Sequence, residues 1–182
     1  QKAENVVLKI AAHCIEIAAI IGAPRINEKA KGKQLYNSAF FLYNGKIHQI
    51  QNKTLLPTYD IFDEYRHFEP NREFSILKFK GRKIAVTICE DLWDEQPFEN
   101  EFSRSRLYTA NPLEELVSMG PDVIINMAAS PFSHRKMEAK QAIFTGKASR
   151  YRLPVLYCNQ VGSQTELIFE GASMAVHASG QL

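Results

Sequence analysis

Cys89 closes a run of strand-forming residues, Ile84-Ala85-Val86-Thr87-Ile88, and is followed at once by Glu90-Asp91-Leu92-Trp93. A strand that ends on a cysteine where the chain turns sets the thiol at the rim of a sheet. The strand fixes its position and the turn exposes the reactive atom. The chemistry on offer is covalent: a thiolate attacks an electrophilic centre and holds it as a covalent intermediate. Free cysteine is mostly protonated near neutral pH, so it needs an activator. Asp91-Leu92-Trp93 reads as the first turn of a short helix, whose amide dipoles favour a thiolate. The plainer alternative makes Cys89 a small core hydrophobe. Against it, Glu90-Asp91 is a poor continuation for a core strand.

Lys53, in Lys53-Thr54-Leu55-Leu56-Pro57-Thr58-Tyr59, is a candidate partner. At the mouth of a sheet its ammonium would stabilise both a thiolate and the oxyanion of a tetrahedral intermediate. Glu64, flanked by aromatics in Phe62-Asp63-Glu64-Tyr65-Arg66, would orient Lys53 through a charge-assisted hydrogen bond. A loop lysine is otherwise a solvated charge, and spacing alone leaves both readings open. Other chemistries have weaker support. H-E-x-x-H and C-x-x-C are absent, so the chain carries no zinc motif. His13, His48, His67, His134 and His177 are scattered, although a Cys-His hydrolase stays open on spacing alone.

The elements that must position these residues can be read from pattern. Lys2 to about Ile17 is an amphipathic helix, with Val6, Val7, Ile10, Ala11, Cys14 and Ile17 on its apolar stripe. Ala18 to Ala23 is a buried strand closed by Pro24, and Arg25 to Lys33 a solvated loop. Asn37 to Tyr43 and Lys46 to Ile50 form a hairpin around Asn44-Gly45, the signature of a type I′ turn. Gln51 to Phe68 is a long irregular connection, of the kind more often functional than idle. Phe74 to Phe79 turns at Lys80-Gly81-Arg82 into the strand Lys83 to Ile88, which delivers Cys89. Gln96 to Thr109 reads as a surface excursion. Asn111-Pro112 opens a helix that Gly120-Pro121 stops. A strand over Asp122 to Asn126 follows, then a basic helix from Ser133 to about Arg152. Val155 to Asn159, Glu166 to Phe169 and Ser173 to His177 are strands, the last two joined by a turn at Glu170-Gly171. Hairpins interrupting a helix–strand alternation argue for mixed sheets with helices packed outside.

Composition excludes several classes. At 182 residues, 45% hydrophobic and 23% charged, the chain suits one globular domain rather than a disordered or fibrous one. A net charge of +2 makes no electrostatic case for nucleic acid or an acidic membrane surface. The longest apolar stretch, Cys14 to Ala23, contains Glu16 and falls far short of a membrane span. An odd, widely spaced set of cysteines, Cys14, Cys89 and Cys158, suits reduced thiols in a cytoplasmic setting.

An ordered set of blocks then carries a resemblance. They are Lys53 to Tyr59, Phe62-Asp63-Glu64 with Phe68 and Pro70, and Ile88-Cys89-Glu90-Asp91-Leu92-Trp93. Asn126-Met127-Ala128-Ala129-Ser130-Pro131-Phe132 and Asn159-Gln160-Val161-Gly162 complete it. Together they resemble the nitrilase superfamily of carbon-nitrogen hydrolases, and within it the glutaminase domains of glutamine-dependent NAD synthetases. The resemblance covers essentially the whole chain. It implies an α/β fold, the nitrilase-like α-β-β-α sandwich of mixed sheets with outer helices, over a single domain at residues 1–182. It also implies a Glu-Lys-Cys triad, with Cys89 the nucleophile, Lys53 the stabiliser of thiolate and oxyanion, and Glu64 the supporting carboxylate. Tyr59, Glu90, Trp93, Ser130 and Lys136 would hold the glutamine substrate, Glu90 suiting its ammonium and Lys136 its carboxylate. Plainer readings stand beside these: Tyr59 as a loop-packing aromatic, Ser130 as a turn residue, Lys136 as a solvated charge, Trp93 as a core anchor.

The family's general-base glutamate precedes the helix with which this chain opens, and neither Glu4 nor Glu16 belongs to that motif. The expectation is therefore of a fragment lacking the first strands and incomplete at both ends. No cofactor or metal is implied for this domain. ATP and Mg2+ belong to an ammonia-accepting synthetase domain, and neither G-x-x-x-x-G-K nor S-G-G-x-D-S occurs here. A homo-oligomer is implied by the family's habit of associating through outer helices. The rival readings are a nitrilase-type amidase for a small carboxamide or nitrile, and an inactive nitrilase-fold scaffold.

Overall fold

Val7 and Ala11, on one face of α1 (Lys2–His13), fasten that helix to the first sheet. They pack with Cys14, Phe40 and Leu42 in one apolar cluster, so Cys14 is a core residue, as expected. The helix is shorter than its pattern suggests. Ile15 and Ile17 are exposed and extend no stripe, and the chain bends after His13 to enter β1 (Ala19–Ile26). Val6 and Ile10 are exposed too, which narrows the buried face to Val7 and Ala11. The structure is a computed structural model that describes residues 2–59, 61–93, 108, 110–133 and 136–182. The chain divides into two compact units, Gln1–Phe74 and Ser75–Leu182.

In the first unit β1, β2 (Leu35–Tyr43) and β3 (Lys46–Asn52) form an antiparallel sheet in that order. The strand β1 continues through Pro24, which pairs with Asn37, to Ile26. An edge strand tolerates proline because the missing N–H can face away from the ladder. The hairpin between β2 and β3 turns on Asn44 and Gly45, with φ of 48° and 75°. That is the positive-φ pair a type I′ turn requires. A Cβ at Gly45 would meet nothing within 4 Å, so only backbone strain opposes a side chain there. Gly45→Ala is expected to cost about 1 kcal/mol, read as a lower urea midpoint at unchanged m-value.

The long connection after β3 is more ordered than its composition suggests. It holds a short helix, α2 (Glu64–His67), and binds back to the start of β2. The Lys53 N–H donates to the Asn37 carbonyl at 2.8 Å, and the Glu69 N–H to the Leu35 carbonyl at 2.7 Å. Residues 53–57 are thereby buried as a peptide laid along the sheet.

The second unit is built on a five-stranded sheet. Its strands are β4 (Leu77–Phe79), β5 (Arg82–Ile88), β6 (Val123–Ala128), β7 (Val155–Asn159) and, after an excursion, β10 (Met174–Val176). The order is β10-β7-β6-β5-β4, with β5, β6 and β7 parallel and both edges antiparallel. Lys80 and Gly81 both take positive φ, so Arg82 belongs to the strand rather than to the turn. Two helices make the crossovers: α3 (Pro112–Ser118) from β5 to β6, and α4 (Lys136–Tyr151) from β6 to β7. The side chain of Asn111 caps α3 by accepting from the Glu114 N–H at 3.0 Å. The core contains Leu92, Leu113, Leu116, Ile124, Phe144, Val155 and Val176.

Besides α2, the sequence pattern misses a strand. After β7 the chain forms β8 (Val161–Gln164), which pairs with β9 (Leu167–Glu170) as a separate two-stranded ribbon. The two strands joined across Glu170-Gly171 do not pair with each other: β9 pairs with β8 and β10 with β7. All four residues of β8 are exposed, so no buried alternation marked it in the sequence. Residues 96–107 and 109 of the expected excursion lie outside the described residues.

Candidate active site

Three parallel strands of the second unit end at one edge of the sheet. Their carboxyl ends deliver Cys89 after β5, Ser130 two residues after β6, and Asn159 as the last residue of β7. The crevice outside the carboxyl ends of such strands is where α/β sheets place ligands.

Cys89 leaves β5 with φ of 45°, a left-handed conformation uncommon for a side-chain-bearing residue. Such a turn costs on the order of 1–2 kcal/mol and persists only where its surroundings hold it. A 3₁₀ turn over Cys89–Leu92 follows directly. The carboxylate of Asp91 folds back and accepts from the Ile88 N–H at 3.3 Å, closing the turn. Cys89 is half-buried, whereas Cys14 is buried and Cys158 exposed. The strand, the turn and the partly open thiol expected from the sequence are all present.

Glu90 is buried, 5% exposed, and accepts from the Tyr108 hydroxyl at 3.2 Å. A carboxylate kept this dry beside a thiol can hold a cationic group of a ligand. Trp93 is also buried, and its ring packs edge-on against Phe144 with centroids 5.8 Å apart. Phe144 packs in turn on Tyr157 at 4.5 Å. Burial pushes the Tyr157 phenol well above the usual tyrosine range, and charge at Cys89 pushes it further. The phenol therefore stays protonated within electrostatic reach of the thiol.

Ser130 is held by Asn159. Its N–H donates to Asn159 Oδ1 at 2.8 Å, and Asn159 Nδ2 donates to the Ser130 and Gly171 carbonyls at 3.3 and 2.8 Å. Lys140, fully buried on α4, donates to Glu170 Oε1 at 3.1 Å and ties the helix to the end of β9. Lys136 is the first residue of α4, and its side chain lies outside the described residues.

Within the first unit, a buried lysine meets a carboxylate. Lys53 is 1% exposed, and its Nζ donates to Glu64 Oε1 at 2.6 Å. The Asn37 side-chain amide donates to the other Glu64 oxygen at 3.2 Å. The pair expected from the sequence thus exists, with the carboxylate anchored from both sides. Tyr59 is half-buried and packs edge-on against Phe62 at 5.9 Å.

Asn126, Asn159, Tyr157, and the Lys140–Glu170 pair went unassigned in the sequence. The signal was there for the asparagines, since Asn126 and Asn159 interrupt or end apolar strands, where a buried amide must find partners. Asn126 leaves its Oδ1 without a hydrogen-bond partner among the described residues. Among the described residues no cluster of three or more His, Cys, Asp or Glu is placed to hold a metal ion. No described helix is long and apolar enough to cross a membrane.

The family model described as carbon-nitrogen hydrolase matches residues 7–182. A glutamine-dependent NAD(+) synthetase of Synechocystis sp. is 38% identical over 169 residues, covering 91% of this chain and 30% of the relative. The solved glutamine-dependent NAD+ synthetase of Acinetobacter baumannii, in complex with ADP, superposes with a TM-score of 0.82 at 26% identity. It covers 98% of this chain and 30% of that one. A carbon-nitrogen hydrolase of Helicobacter pylori G27 shares the fold, with a TM-score of 0.76 at 22% identity over 98% of this chain and 61% of its own. The fold is thus the α/β nitrilase-like fold of mixed sheets and flanking helices. The chain spans less than a third of the length of the synthetases it matches.

Proposed function

From the premise that the chain belongs to the carbon-nitrogen hydrolase family, we propose that it hydrolyses the side-chain amide of glutamine through a thioester on Cys89. The observation that carries the reading is Cys89 itself, half-buried at a positive-φ turn where β5 runs out into a 3₁₀ turn. Glutamine, rather than another amide, is supported by the synthetase relatives, whose name specifies it.

A carboxylate base takes the Cys89 proton as the sulfur attacks the amide carbon. The resemblance makes that base the glutamate of the family's triad. The Lys53 ammonium, its charge matched by Glu64, stabilises the oxyanion. The tetrahedral centre collapses, the C–N bond breaks, and the nitrogen leaves as ammonia with the proton returned by the base. Water, deprotonated by the same base, then attacks the γ-glutamyl thioester and releases glutamate and the thiol. Glu90 pairs with the substrate ammonium, and Tyr59, Trp93, Ser130 and Lys136 complete its binding. The ammonia passes to a synthetase domain that amidates nicotinic acid adenine dinucleotide with ATP and Mg2+, in a cytoplasmic setting that keeps the thiols reduced. The assembly is homo-oligomeric in this reading.

A substrate panel tests the choice of amide. In the full-length protein, kcat/KM for glutamine should exceed that for acetamide, propionamide and simple nitriles by about 100-fold or more. A site built to bind a substrate's charged groups strongly rejects analogues lacking them. Equal rates across the panel would instead make this a small-amide hydrolase. A Cys89 no more reactive toward thiol reagents than Cys158 would favour a scaffold.

A further inference from the structure

The left-handed turn at Cys89 needs something to hold it, and the neighbouring strand supplies a candidate. Asn126 on β6 is fully buried and lies opposite Thr87 of β5 in the parallel register. Its Nδ2 donates to Thr87 Oγ1 at 2.9 Å and to the Cys89 carbonyl at 3.2 Å. A carbonyl can only accept, so the amide nitrogen must be the atom that faces it. The Thr87 hydroxyl lies 3.4 Å from the Ile125 carbonyl, to which it donates, leaving its oxygen free to accept from Asn126.

The ladder between β5 and β6 ends at Ile88 and Met127, so the Cys89 carbonyl lies beyond the last pair of the ladder. Asn126 meets this carbonyl while its own Oδ1 stays without a hydrogen-bond partner among the described residues. An apolar side chain would fill the same space without leaving a buried acceptor unsatisfied. The amide is explained by what its NH2 group holds.

We propose that Asn126 is a positioning residue for the nucleophile: its amide latches the Cys89 carbonyl, and with it the left-handed turn that sets the thiol beyond the end of β5. The inference rests on the reading of Cys89 as nucleophile. Asn126 touches the backbone of Cys89, and its influence on the reaction passes through the placement of the sulfur.

The test is iodoacetamide alkylation of the full-length protein, followed cysteine by cysteine by mass spectrometry, with Cys158 as the exposed internal reference. Asn126→Leu should slow Cys89 alkylation relative to Cys158 by about tenfold, and lower the kcat for glutamine by a similar factor. KM should change by less than about threefold, because a misplaced reacting atom chiefly affects the chemical step. Asn126→Ser, whose hydroxyl is too short to bridge both acceptors, should do the same and decides the matter if the leucine variant does not fold. Thr87→Val leaves the amide free to hold Cys89 and should keep the alkylation rate within about twofold of the parent. A folded Asn126→Leu or Asn126→Ser protein whose Cys89 alkylates at the parental rate overturns the latch. Slowed alkylation in those variants, together with full activity in Cys89→Ala, would keep the latch and reject the catalytic reading instead.

Discussion

Cys89→Ala is expected to abolish glutamine-dependent turnover, by on the order of 10^4-fold or more, while leaving ammonia-dependent synthesis by the full-length protein unchanged. No other described group can replace the lost sulfur in a thioester mechanism: Cys14 is buried in the apolar cluster of the first unit, and Cys158 lies within β7. The fold should tolerate the change. Alanine meets the same left-handed strain as cysteine at φ 45°, and the thiol is only half-buried. Stability should therefore move by no more than about 1 kcal/mol. Paired assays with glutamine and with ammonium chloride, plus a thermal melt, would establish all three parts. Undiminished hydrolysis of glutamine by the alanine variant would remove Cys89 from the mechanism altogether.

Lys53→Met is expected to be nearly as severe, for two separable reasons. The ammonium is 1% exposed and bonded to Glu64 at 2.6 Å, so methionine keeps much of the packing volume but leaves the carboxylate with Asn37 as its remaining side-chain donor. Breaking a fully buried pair costs several kcal/mol, but Glu64 is 20% exposed and can recruit water. A loss of about 1–3 kcal/mol in urea unfolding follows. The catalytic loss is larger in the proposed mechanism, because removing one stabilising donor from an oxyanion costs about 10^2–10^3 in kcat. Glu64→Gln separates the two effects. Its oxygen still accepts from Nζ, and Asn37 keeps a partner by turning its amide so that Oδ1 accepts from the new NH2, so it should lower kcat by only about tenfold. A Lys53→Met protein with parental kcat and reduced stability would make the lysine a purely structural residue.

The strand into Cys89 and the hairpin at Asn44-Gly45 were legible because each depends on a few adjacent residues. Alternation, a positive-φ turn pair and a helix cap are local properties, and the structure has them at the expected places. The errors share a different cause. The stripe on α1 was overextended because Ile15 and Ile17 continue its spacing but remain exposed. The ribbon β8–β9 was missed because its first strand buries nothing.

For the candidate site, residue types and their order along the chain were enough to single out Cys89, Lys53 and Glu64 and to suggest a nucleophile, a cation and a carboxylate. That much is chemistry carried by side-chain identity. Tertiary structure decided which atoms meet. Lys53 and Glu64 pair only because the peptide after β3 is bound back along β2 and the short helix α2 turns the carboxylate toward it. Asn126 reaches the Cys89 carbonyl across a strand pairing that joins residues far apart in sequence, a register set by the whole sheet rather than by either strand alone. The thiol sits where the strand pattern places it, at the end of β5. The hydrogen bonds that hold its turn in place come from pairings between distant segments, which no local pattern encodes.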